Sequence, residues 1–172
     1  MASARGGGVD PLARAVGAVV EGITFYDLGH IAVADTRVKV TFEDLGRRKR
    51  MELSKLEALA GPSAKDAAPR PGFYPVEVVS KLECYVCGHT IETASMPSQC
   101  PRCGAARYSF EKEIALARAW EIAAHSARKS ASLFRELAGK AEVDTRRVLE
   151  ELAREEDALA SEAEKEIAEL RA

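Results

Sequence analysis

The residues of this chain best suited to chemistry are its four cysteines, Cys84, Cys87, Cys100 and Cys103. They form two Cys-x-x-Cys pairs with twelve residues between them, read as CYVCG and CPRCG. Two residues between thiols let one tight turn aim both sulfurs at one point. The glycine after each second cysteine, Gly88 or Gly104, permits the positive φ that such a turn needs. Two turns of this kind facing each other make a tetrahedral S4 site, suited to Zn²⁺ or to a single iron. The competing reading is two disulfides, which requires an oxidising compartment. Nothing else in the sequence points to one. The leading MASARGGG has no apolar stretch of the signal-peptide kind. The expectation is one Fe(2+/3+) or Zn²⁺ per chain, held by these four cysteines in a cytoplasmic protein.

The remaining composition says what must position such a site. Of the 172 residues 47% are apolar but only 6% aromatic, which favours closely packed helices over a bulky sheet core. A net charge of −2 implies no pull toward nucleic acid, and no apolar run approaches the ~20 residues of a membrane span. The Gly-rich residues 1–8 read as disordered. Asp10 and Pro11 read as the start of a helix that carries Leu12, Val16, Val19, Val20, Ile23 and Tyr26 on one stripe. Asp35 caps a second helix, with Val38, Phe42, Leu45, Leu56 and Leu59 on its stripe, and Gly61-Pro62 stops it. Residues 9–60 are thus expected to form a helical hairpin.

Residues 61–74 are rich in proline and glycine and read as a linker. Residues 75–111 are expected to be a small β module around the cysteines, with strands at 75–82, 90–93 and 108–110. Tyr85, Tyr108, Phe110, Phe73 and Tyr74 are assigned to its core. Helical spacing resumes at Glu111, with Leu116, Trp120, Ala124, Ala127, Ala131, Phe134 and Ala138 on a stripe of mostly small residues. Asp144 is expected to cap a last helix with Leu149, Leu152, Leu159, Ala163 and Leu170. Residues 112–172 form a second hairpin. A weak internal repeat links the two hairpins, since Asp35-Thr36-Arg37 recurs as Asp144-Thr145-Arg146. Neither hairpin can bury its apolar face alone, so the two are expected to pack as a four-helix bundle with the cysteine module in its middle connection.

The chain resembles the rubrerythrin family, which joins a ferritin-like four-helix bundle to a rubredoxin-like domain. The cysteine spacing, the run PSQCPRCGA from Pro97 to Ala105 and the ending Phe110-Glu111 carry the specific part of the likeness. EGITFY from Glu21 to Tyr26 carries a looser part. Family members usually have the rubredoxin-like part at one end of the chain, whereas here it lies between the two hairpins. The resemblance implies a mainly α fold: a ferritin-like bundle of two hairpins with a rubredoxin-like, zinc-ribbon-sized module inserted.

It also implies where a di-iron site would lie. The family supplies Glu-x-x-His motifs from the second and fourth helices and single glutamates from the first and third. The corresponding positions here are Lys49 and Glu52, Glu156 and Leu159, Val19, and either Glu121 or His125. A lysine, a leucine and a valine are not iron ligands, so no di-iron site is expected. Instead Lys49 and Glu156, charged residues on opposing apolar stripes, are expected to pair across the bundle, where Glu52 could share the lysine; the alternative is that both side chains snorkel to the surface at a bundle edge.

Three functions follow as expectations. The first is one-electron transfer through an Fe(Cys)4 centre to or from a partner oxidoreductase or larger complex. Its potential would be set by N–H groups of Val86, Gly88, His89, Arg102, Gly104 and Ala105 aimed at sulfur. The second is a structural zinc ribbon in an assembly or regulatory subunit. The third is a peroxide-reducing rubrerythrin, which the missing ligands oppose. A homodimer suits the family pattern. No catalytic side chain and no organic cofactor site is expected. His89 reads as solvent-facing, His30 as a helix-end residue and His125 as a core or surface histidine. Trp120 reads as a bundle anchor. The basic run Arg47-Arg48-Lys49-Arg50 reads as a solvated face plus one buried lysine.

Overall fold

The computed structural model describes residues 10–33, 35–66, 68–75, 80–84, 86–93, 97–106, 110–113 and 116–172. The chain is mainly helical: α1 (Pro11–Ala32), α2 (Thr36–Ala60), α3 (Leu116–Ala138) and α4 (Val143–Arg171). Among the described residues between α2 and α3 lie three short strands, β1 (Ser80–Cys84), β2 (Thr90–Thr93) and β3 (Phe110–Glu113). No helix among the described residues is long and apolar enough to cross a membrane.

Local chemistry sets the helix ends. The Asp10 carboxylate accepts the Leu12 N–H at 3.1 Å, with Pro11 in the first helical position. Asp35 does the same for the Arg37 N–H at 2.8 Å and is clasped by the Arg37 guanidinium. Gly61, at φ 85°, terminates α2. The last helix differs from the expectation. Its N-cap is Glu142, without a side-chain capping bond, and Asp144 lies within the first turn. Arg146 ties this corner down by donating to the Ala138 and Ala141 carbonyls, so the helix starts ahead of Asp144. The two hairpins therefore share the Asp-Thr-Arg sequence without sharing its capping role.

α1 packs mainly on α2, and α3 mainly on α4. The core has two apolar ends. One holds Tyr26, Phe42, Leu45, Trp120, Ala127 and Leu159. The other holds Val16, Val19, Leu56, Phe134, Leu149 and Leu152. Between these ends in sequence order, α2 places Lys49 and Glu52, and α4 places Glu156, all buried. The stripes stop before the helices do: Leu59 and Leu170, assigned to the core by their spacing, are exposed in the last turns.

Residues 61–74 do not behave as a free linker. After a 3₁₀ turn at Pro62–Lys65 the chain lies across the bundle as a strap. A Cβ at Gly17 would overlap the Pro69 carbonyl oxygen, and one at Gly22 would come within 2.6 Å of the Tyr74 hydroxyl. Glu21 accepts the N–H groups of Gly72 and Phe73, each at 3.1 Å. Tyr74 is buried, its ring 5.2 Å from Phe25 and 5.4 Å from Tyr26. Phe73 and Tyr74 thus belong to the bundle core and not to the cysteine module. The glycines of α1 leave the room, and two aromatic rings next to a small metal module gain more buried area in the larger core.

The strands form one antiparallel sheet in the order β2-β1-β3. Ser80 pairs with Thr93 and Lys81 with Glu113, so β1 is central. β2 occupies the residues expected of it. β3 continues through Glu113, so the helical hairpin opens at Leu116 and not directly after Glu111. The expected strand at 75–82 is seen from Ser80 onward, residues 76–79 lying outside the described residues, as do the N-terminal residues 1–8, Tyr85 and Tyr108.

Candidate metal centre

The two cysteine pairs are built alike. In the first, the Cys84 N–H donates to the His89 carbonyl at 3.0 Å and the Gly88 N–H donates to the Cys84 carbonyl at 2.8 Å. In the second, Cys100 and Ala105 are joined at 2.8 Å, and Gly104 and Cys100 at 2.9 Å. Gly88 and Gly104 have φ of 68° and 77°, and a Cβ on either would meet nothing within 4 Å. The requirement for glycine is therefore the left-handed backbone and not space. The first turn leaves the central strand β1 at Cys84; the second sits beside a bridge between Gln99 and Ala106.

These turns bring the four sulfurs together. All lie within 4.8 Å of one another, with Cys84 to Cys103 at 3.8 Å and Cys87 to Cys100 at 3.7 Å. All four cysteines are free. A disulfide would need about 2.05 Å. A tetrahedron of sulfurs about 2.3 Å from a central metal has edges of ~3.8 Å. The spacing therefore fits one metal ion and not two disulfides. Cys84 and Cys100 are buried, Cys87 is half-buried and Cys103 is exposed, so the cluster has one edge open to solvent.

The electrostatics agree. Against the raising effect of burial, the N–H groups of Cys103 and Arg102 bring the Cys100 thiol down to about 7. The Ala105 N–H favours the Cys103 thiolate, but burial and the neighbouring thiols push that group up to about 12. Four thiols this close do not all ionise without a cation among them. Of the N–H groups expected to face sulfur, Arg102 and Ala105 do so, and Cys103 adds one that the sequence did not suggest. The Gly88 and Gly104 N–H groups close their turns on carbonyls instead.

The positions of the implied bundle site are occupied differently. Lys49 Nζ is ion-paired with Glu156 and lies 3.1 Å from Glu52, so the expected cross-bundle pair is present and Glu52 shares it. Val19 and Leu159 are apolar core. Glu121 pairs with Arg118 and Arg171, and His125 is exposed. Both line an open cleft of about 370 Å³ between α3 and residues 72–75, so neither faces the bundle interior. His30 is held by the Lys39 carbonyl at 3.1 Å. Arg47, Arg48 and Arg50 pair with Asp44, Glu162 and Asp27 at the surface, and only Lys49 of the basic run is buried. Among the described residues the four cysteines are the one group of three or more potential ligands close enough to surround an ion.

Residues 83–111 match the family model described as "Rubrerythrin, rubredoxin-like domain". This segment is similar to the rubredoxin-like domain of rubrerythrins. The four helices around it fit a rubrerythrin-like four-helix protein. Among solved structures, a conserved hypothetical protein, rv2844, from Mycobacterium tuberculosis is similar in fold, with a TM-score of 0.51 and 15% identity. The match covers 90% of this chain and 92% of that one. No curated protein matches the chain.

Proposed function

We propose that this protein passes single electrons through an iron held by Cys84, Cys87, Cys100 and Cys103, to or from a partner oxidoreductase. The observation that carries the reading is the tetrahedral spacing of the four sulfurs within a rubredoxin-like segment. Bound iron would supply a ferric–ferrous couple. The chain's residues do the rest. The N–H groups of Arg102, Cys103 and Ala105 stabilise negative charge on sulfur and so bear on the potential. Burial of Cys84 and Cys100 shields one side, while exposed Cys103, with Val86 exposed on the other turn, gives the partner its point of approach.

In this reading the bundle is ferritin-like in ancestry and serves as scaffold and docking surface, its centre filled by the Lys49 ion pairs and not by a di-iron site. The protein works in the cytoplasm and relies on a redox partner or larger complex, with homodimerisation as a further property. The test is a reductive titration of protein isolated from its native source. A one-electron bleach of visible charge-transfer absorption, with one iron per chain, is the expected result. A colourless protein with one zinc per chain gives the structural zinc-ribbon reading instead. Peroxide turnover without an added partner gives the rubrerythrin enzyme.

A further inference from the structure

The layer between the two apolar ends of the core carries an unequal charge. Two carboxylates, Glu52 and Glu156, are buried against one ammonium, Lys49, with exposures of 5%, 0% and 1%. Among the described residues the surrounding elements do not supply the missing positive charge. On α2, Arg48 is engaged by Asp44 and Glu162, and Lys55 by Glu151 and Glu155. On α4 the near neighbours, Glu155 and Glu162, are themselves acidic. α1 offers Tyr26 and the strap offers Tyr74, both buried phenols. The buried residues of α3 include no titratable side chain. A net charge left inside a core is costly, and the usual relief is a bound cation or a proton.

Two further observations point to a proton. Glu156 meets Lys49 through Oε1, but its Oε2 makes no hydrogen bond, and neither do the buried hydroxyls of Tyr26 and Tyr74, so the layer still holds an unpartnered acceptor and unpartnered donors. A polar cluster of this kind is completed by a proton or by water. Glu52 is also in touch with the outside. It forms part of the wall of a groove of about 270 Å³ between α2 and α4, beside Met51, Ala158 and Leu159. The Arg48–Glu162 and Lys55–Glu155 ion pairs belong to the same groove. We propose that the middle of the bundle is a proton-binding site: Glu52 and Glu156 together carry one proton at neutral pH, and it exchanges with solvent through this groove. Burial, which outweighs the nearby Lys49, pushes Glu52 above the usual carboxylate range, in keeping with the geometry.

The proton has a consequence for stability. A carboxyl whose value is raised by folding binds its proton more tightly in the folded chain. Its contribution is greatest near and below the ordinary value of ~4.3 and is lost as pH rises through the folded value. Within that window the folding constant falls up to tenfold per pH unit. The experiment uses the full metal-loaded chain. Infrared spectra of wild type, Glu52→Gln and Glu156→Gln are recorded at neutral pH, with urea unfolding of each from pH 5 to pH 9. The expected result is a protonated-carboxyl band in wild type that fades as pH rises. Either glutamine variant should remove the band and flatten the pH dependence of stability, and one foldable variant suffices. A wild type without the band at neutral pH overturns the proposal. So does a variant that keeps both the band and the slope.

Discussion

Replacing Lys49 by methionine probes the bundle most sharply. Methionine has a similar volume and keeps the aliphatic contact with α1. What it removes is the ammonium that Glu52 and Glu156 share. Because the side chains of Lys49 and Glu156 are 1% and 0% exposed, the change belongs to the buried regime. Removing one partner there leaves charge uncompensated and costs about 3–5 kcal/mol. For a chain of this size that is a fall of roughly 6–20 °C in Tm. Urea unfolding at pH 8, where relief by protonation is weakest, is the assay. Lowering the pH toward 5 should return part of the loss as the carboxyls take up protons. Replacing all three charged residues by apolar ones of similar size should bring stability back to the wild-type level or above it. A loss below about 1 kcal/mol for Lys49→Met would place the pair with exposed salt bridges and refute the reasoning.

Other outcomes follow from the strap and the fold. Gly17→Ala puts a Cβ into the Pro69 carbonyl and should cost about 1–3 kcal/mol. It should also speed amide exchange at Gly72 and Phe73, whose N–H groups Glu21 holds; unchanged exchange would show a strap that slides freely. Tyr74→Ala should cost about 3–5 kcal/mol by emptying an aromatic cluster, while Tyr74→Phe should be nearly neutral because the hydroxyl has no partner. Cys84→Ser should lose the metal and the order of the module while the helical circular dichroism signal stays largely intact. Loss of that signal would make the module the keystone of the bundle.

The cysteine spacing and the knuckle glycines were legible because both are local: a turn of four residues fixes where two sulfurs go. The Lys49–Glu156 pair was legible for a different reason. Helical period put both charges on otherwise apolar stripes, and buried charges need partners. The strap was not legible. Its proline and glycine content describes a chain without periodic structure and says nothing about where that chain lies. The signal lay in another element, in Gly17 and Gly22 on α1, whose missing side chains make room for Pro69 and Tyr74. Asp144 misled because an Asp-Thr-Arg run resembles a cap, while the helix begins at Val143 and Arg146 reaches back across the corner to the end of α3. Glu121, a candidate for the third-helix position, lies outside the bundle interior because a stripe rich in small residues leaves the rotation of α3 poorly marked, while the reading of His125 as a core or surface histidine agrees with its exposure.

The most direct test of the account is elemental analysis, together with a visible spectrum, of the oxidised protein purified from its native source. The account predicts one iron per chain with sulfur-to-iron charge-transfer bands that bleach on addition of one electron, all lost in Cys84→Ser. Two or more irons per chain, or iron that persists in Cys84→Ser, would contradict it.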